Sequence, residues 1–195
     1  MSRKGVYCIE GEWGFMAGDA TSVLPLLELL RDVEGIPFSH RDAVCATALR
    51  TLLDQWTKAK HRAYPILHVA CHGKAGHLVL GIGNKNESRV CIDQFEEWLA
   101  GKCHRKIIYL GSCSLLGDLH GNRWRRFLKR TGALAVCGYG CEVPWIESSA
   151  FELFLLNELQ VNALTVSGAR AMQRRIRSRN NQMAKRLNFK MMVAN

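Results

Sequence analysis

The chain has 195 residues, of which 48% are apolar and 23% charged, and a formal net charge of +10. This fits one domain over residues 1–195 with one substantial core, and it argues against a disordered chain or a coiled coil. The longest apolar runs, near residues 23–30 and 151–156, fall well below the roughly 20 residues of a membrane span, so no membrane association is expected.

The opening MSRKGVYCIEG carries no apolar h-region and no small-residue cleavage site, which argues against a signal peptide. Eight cysteines are scattered with no CxxC pair, and a chain of this size needs no disulfide staples. Reduced thiols, a cytoplasmic location and no ribbon-type or finger-type zinc site are the expectations. No acidic residue follows Glu158, whereas Arg170, Arg174, Arg175, Arg177, Arg179, Lys185, Arg186 and Lys190 do. Most of the excess charge therefore lies in a C-terminal segment, predicted helical, from about residue 161.

In chain order, residues 5–10 (GVYCIE) read as a strand, and apolar residues at 23, 26, 27, 30 and 33 predict a helix closed by Gly35. Residues 36–41 are too short to assign. Cys45, Leu49, Leu52, Leu53 and Trp56 form one stripe of a helix over 42–60, with Asp42 as its expected cap. Pro65 introduces ILHVAC, a continuous apolar run suited to a strand buried on both faces. Residues 78–82 and 89–92 flank the turn-rich GNKNES and predict a hairpin. Asp93 with Glu96 reads as a capping box for a helix over 94–100 that stops at Gly101. KIIYLG (106–111) is a second buried strand, followed by a bend of small residues. A helix over 122–131, a strand over 133–138, and a helix opened by a Ser149–Glu152 capping box and running to about Gln160 complete the body. Alternating strands and helices predict an α/β three-layer sandwich around a mainly parallel sheet.

Ligand sites in such sheets lie at the carboxyl ends of neighbouring strands. One strand runs into His72-Gly73 and another into Cys113, and a right-handed crossover would set them side by side. A thiol with an ordinary pKa is only a few per cent thiolate at neutral pH and needs a proton acceptor, which His72 could supply. The imidazole could then protonate a leaving amine, while the backbone N–H groups of Gly73 and Cys113 face a developing oxyanion. By spacing alone, the same residues could be core packing.

The strings LHVACHG (67–73) and IIYLGSCSLLG (107–117) resemble the paired signatures of caspase-like cysteine peptidases, most closely the CHAT family. The resemblance implies a caspase-like sandwich with Cys113 as nucleophile, His72 as general acid/base, and Gly73 with Cys113 as oxyanion donors. It further implies endopeptidase activity on a protein or peptide substrate with no metal or organic cofactor. For many bacterial members it implies work in antiviral defence or regulated cell death. Some relatives, such as metacaspases, place an Asp two residues before the nucleophile to hold a P1 Arg or Lys. Gly111 stands there in this chain, so no basic P1 preference is carried over. The repeat and sensor domains often fused to CHAT units are absent from the chain, which points to a separate activating partner or to none.

Other residues are secondary candidates. His68 shares the face of His72 but lies deeper, as a core histidine would. Cys71, His72 and Cys113, with His77 nearby, could in principle bind a metal for a metal-dependent hydrolase, although Cys71 should face the opposite side of the sheet. Gly111, Tyr139, Cys141, Glu142 and Trp145 are expected in the substrate pocket wall, and Trp13 is either core or pocket. The arginine-rich segment has two readings, a solvated helix face or a patch for nucleic acid or an acidic partner. The alternative function is a catalytically silent caspase-like module that binds through that segment.

Overall fold

The computed structural model describes residues 3–14, 21–74, 76–81, 85–117 and 122–195. Strand β1 (Val6–Glu10) is buried along its whole length, as a strand that is apolar up to its last residue should be in a sheet covered on both faces. Helix α1 (Leu24–Glu34) has Pro25 in its first turn and ends where Gly35 takes a left-handed φ of 65°. β2 (Phe38–Asp42) pairs in parallel with β1, placing Asp42 opposite Glu10. This pairing keeps Asp42 in the strand, so the expected Asp42 cap does not form and α2 (Ala46–Thr57) begins after an extended Cys45.

β3 (Ile66–Ala70) is followed by β4 (His72–Lys74), β5 (His77–Val79), the short helix α3 (Lys85–Ser88) and β6 (Arg89–Cys91). β5 and β6 form the expected hairpin and, with β4, a small antiparallel sheet. Ile82, Gly83 and Asn84 of its predicted ends and turn lie outside the described residues.

α4 (Ile92–Leu99) comes next, then β7 (Ile107–Leu110), α5 (Asn122–Thr131) and β8 (Ala135–Tyr139). Asp93 and Glu96 do not form a capping box. Asp93 accepts from Arg126 at 2.7 Å, and the fully buried Glu96 lies 3.1 Å from Arg130, so both carboxylates tie α4 to α5. α6 (Trp145–Glu158) starts four residues before the predicted Ser149–Glu152 box. Pro144, with φ fixed at −65°, leads into it, and its carbonyl accepts from Ser148 N at 2.9 Å. Ser149 and Glu152 are thus interior to the helix.

The C-terminal segment is more than helical. α7 (Val166–Arg179) is capped by the Thr165 hydroxyl, which accepts from Gly168 N at 3.1 Å, and α8 (Asn181–Arg186) leads into β9 (Phe189–Val193). β9 lies antiparallel to β8 at the sheet edge. The main sheet has the order β2-β1-β3-β7-β8-β9, with every pair but the last parallel.

Two apolar layers clamp this sheet. α2, α4 and α5 set Leu49, Trp56, Phe95 and Phe127 against Leu67, Val69, Ile108 and Leu110. On the other face α1, α6 and α7 set Leu27, Phe151 and Met172 against Ile66, Ile107 and Tyr109. Each fully buried side chain of this kind contributes about 1.5–3 kcal/mol, which fixes the strand ends relative to one another. The result is the predicted three-layer α/β sandwich. Among the described residues, no helix is long and apolar enough to cross a membrane.

Candidate active site

β3 and β7 are direct parallel neighbours, with Ile66 opposite Ile107 and Val69 opposite Leu110. The chain leaving β3 therefore meets the chain leaving β7. A Cβ on Gly73 would lie 2.1 Å from the Cys113 carbonyl oxygen and 2.9 Å from its nitrogen, so this close approach requires glycine. Ser114, directly after Cys113, has φ of 58°, a left-handed conformation that is strained for a side-chain-bearing residue. The turn is held by Ser114 N donating to Cys141 O at 3.1 Å and Leu116 N donating to Tyr139 O at 2.9 Å.

His72 is oriented by a residue the sequence did not single out for that role. Its Nε2–H donates to the Trp13 carbonyl at 2.8 Å, and the two rings meet edge to face at 5.1 Å. In the neutral ring this leaves the lone pair on Nδ1. Trp13 is itself held, because its indole N–H donates to Glu10 Oε1 at 2.6 Å. Glu10 also accepts from Ser22 Oγ, Val23 N and His40 Nε2. Burial pushes the Glu10 carboxyl up, but hydrogen bonds from His40, Ser22, Val23 and Trp13 more than offset this and hold it below the usual range. The same contact raises His40.

Cys113 and His72 line one cavity of about 130 Å³, together with Trp13, Gly111, Trp145 and Glu152. Of the expected wall residues, Gly111, Tyr139 and Trp145 are there. Cys141 and Glu142 are not. The loop after β8 turns the Cys141 carbonyl to Ser114, and Glu142 is exposed. Glu152, which fits a capping pattern in the sequence, lines this cavity with its residue only 5% exposed. His68 lies behind it, stacked on Tyr109 at 4.6 Å, with Nδ1 3.1 Å from Glu152 Oε1. Burial lowers His68 to about 3, so its ring is neutral, and among the described residues its Nε2 has no hydrogen-bond partner.

The metal-hydrolase grouping does not assemble. Cys71 is buried in the layer beneath α2, α4 and α5, 3.4 Å from Ser112 Oγ, and burial pushes its thiol up to about 12. Successive residues of an extended chain face opposite sides, so Cys71 points away from the His72 cavity. Among the described residues, Glu10, His40 and Asp42 are the ligand-type groups that converge.

A second cavity, of about 830 Å³, lies between α5, α7 and β9. It is lined by Arg125, Lys129, Arg170, Arg174, Arg177 and Lys190, none of which has a carboxylate partner among the described residues. Arg175 and Arg179, by contrast, bind Glu158, and Arg186 binds Glu147 at 2.6 Å. Part of the basic segment is thus internal scaffolding and part faces this groove.

The fold is that of caspases. A caspase-1 from Spodoptera frugiperda superposes with a TM-score of 0.50 at 17% identity, covering 80% of this chain and 68% of its own. Among curated proteins no sequence matches the chain. A family model matches residues 3–193, nearly the whole length, and the chain belongs to that family, the family of unknown function DUF6642.

Proposed function

We propose that this chain is a cysteine endopeptidase, a single caspase-like domain of the CHAT type, with Cys113 and His72 as its dyad. The observation that carries the reading is the shared cavity at two adjacent strand ends, where a half-buried thiol and an imidazole with a fixed Nε2–H bond come together. His72 Nδ1 takes the Cys113 proton, and the thiolate attacks the scissile carbonyl carbon. The N–H groups of Gly73 and Cys113 stabilise the oxyanion as the C–N bond breaks. The imidazolium returns its proton to the leaving amine, and water, deprotonated by His72, hydrolyses the thioester. The Trp13 carbonyl stabilises the imidazolium through the chemistry in which Nε2–H is the donor throughout. The motif resemblance supports action on a protein substrate and a role in antiviral defence, and the scattered cysteines without a CxxC pair support a cytoplasmic location. The test is peptide turnover: Cys113→Ala and His72→Ala should each abolish it with the fold intact by circular dichroism, and near wild-type turnover by either would remove the dyad.

The cations of the α5–α7–β9 groove, which have no carboxylate partner among the described residues, support a second reading, a catalytically silent module that binds an acidic protein or nucleic acid. A peptide bearing a thiol-reactive group separates the two. It labels Cys113 selectively under the first reading and unselectively under the second.

A further inference from the structure

Four carboxylates are buried among the described residues: Glu10, Glu96, Glu152 and Glu158. Glutamate is almost never fully buried unless it is paired. Glu158 has Arg175 and Arg179, Glu96 has Arg130 and Arg126, and Glu10 has His40 with three further donors. Glu152 is the exception, because the basic group beside it is His68, which burial keeps neutral. Among the described residues its Oε1 has no hydrogen-bond partner, with His68 Nδ1 3.1 Å away; the Glu96 oxygens lack one too, but two arginines lie beside them. Among the described residues, no Arg or Lys lines the cavity that Glu152 shares with Cys113.

The lining of that cavity is mixed: half-buried Cys113 and His72, the apolar side chains of Trp13, Val143 and Trp145, and Ser148, Ser149 and buried Tyr139 together with Glu152. A long side chain with an apolar stem and a cationic head matches this set of surfaces: aromatic faces for the stem, hydroxyl oxygens beside it, a carboxylate for the head. The absence of a side chain at Gly111 is part of the design. A Cβ there would lie 2.6 Å from His68 Nε2, so even alanine would intrude on the Glu152–His68 floor.

From this we infer that the cavity is the primary specificity pocket and that it takes a basic P1 side chain, arginine or lysine, with Glu152 on α6 as the residue that binds the cation. The inference rests on the peptidase reading for the words P1 and substrate. The cation site itself does not depend on it. Burial, aided by the charge of Glu10, raises the empty-pocket carboxyl to about 8, so a cationic side chain entering at neutral pH displaces a proton to solvent and leaves a buried ion pair.

The test has two arms. In the first, otherwise identical peptides carrying arginine, lysine, citrulline, norleucine or aspartate at P1 are compared for turnover. Citrulline keeps the shape of arginine and removes its charge. Wild type should prefer arginine over citrulline by at least about 100-fold, and Glu152→Gln should remove that preference. Glu152→Met should shift preference to norleucine, a gain that also reports an intact fold. In the second arm, binding of Nα-acetyl-arginine amide and of its citrulline counterpart to Cys113→Ala protein is followed by NMR, with and without Glu152→Gln. Binding of the arginine compound alone, lost in the double variant, supports the pocket whether or not any peptide is cleaved. Absence of turnover with such binding would overturn the peptidase reading and leave the cation site standing. Turnover with citrulline, norleucine or aspartate preferred would overturn the pocket assignment and leave the peptidase standing. An arginine preference that survives Glu152→Gln would overturn the role of Glu152. If Glu152→Gln does not fold, the wild-type ratio of arginine to citrulline decides the inference.

Discussion

His72 Nε2 donates to the carbonyl oxygen of Trp13 at 2.8 Å, so a main-chain atom of the segment after β1 sets the tautomer of an imidazole that follows β3. This carbonyl is positioned at one remove by Glu10, which receives the Trp13 indole N–H. Glu10 is not among the residues lining the Cys113 cavity and reaches His72 through Trp13.

Glu10→Gln therefore tests positioning rather than contact. The amide turns a donor toward groups that already donate, loosening Trp13 and with it His72. We expect kcat to fall about tenfold with KM nearly unchanged, since a ring misplaced by a fraction of an ångström costs rate before it costs binding. A change confined to KM, or none in either constant, would disconnect Glu10 from the site.

Gly73→Ala should be among the most damaging small substitutions in the chain. Its Cβ would fall 2.1 Å from the Cys113 carbonyl oxygen, a backbone atom with no rotamer to escape into. Overpacking of this kind costs about 1–3 kcal/mol. The expected result is a lowered melting temperature together with loss of peptide turnover. A variant with normal activity would show that the two strand ends are less closely opposed.

Iodoacetamide at neutral pH should label Cys113 first. Burial raises the thiols of Cys8, Cys71, Cys103 and Cys137, and Cys141 is raised by burial and by the neighbouring Cys113 and Glu142. Only the thiolate reacts, so these five should lag. Mass-spectrometric mapping that finds Cys141 ahead of Cys113 would move the nucleophile.

The Glu10–His40 contact predicts a pH window for stability. Folding raises His40 above its ordinary 6.5, so that contribution is complete below pH 6.5 and is lost as pH rises through the folded value. Folding lowers Glu10 below its ordinary 4.5, so its contribution is complete above pH 4.5 and is lost as pH falls through the folded value. The difference in melting temperature between wild type and His40→Ala should be largest between these limits and shrink on either side. A difference independent of pH would mean that His40 acts by packing alone.

Replacing Arg170, Arg174 and Arg177 with glutamine should leave turnover of short peptides unchanged, because the groove they line is separate from the Cys113 cavity. Any loss should appear with acidic protein partners and weaken in the wild type as salt rises through the physiological range, where screening acts over about 8 Å. Adding Arg175 or Arg179 to the set would confuse the result, since both hold Glu158. Loss of short-peptide turnover in the triple variant would show that the groove and the catalytic cavity are coupled.

The sequence by itself determined the sandwich, since β1, β3, β7 and β8 are apolar runs whose burial on both faces needs no partner information to foresee. It also determined that His72 and Cys113 close adjacent strands, because order in the chain and the handedness of crossovers leave little choice. Tertiary structure decided what periodicity does not encode. Asp42 and the Asp93–Glu96 pair fit capping patterns, but strand pairing with β1 and ion pairs to α5 use them instead. β9 has no clear strand signal and exists because β8 offers it a free edge. The Trp13 carbonyl is a main-chain atom that side-chain patterns do not reveal. Glu152 reached the cavity only because α6 begins at Trp145, four residues before its apparent cap, and the helix then turns a carboxyl onto the floor that Gly111 leaves open.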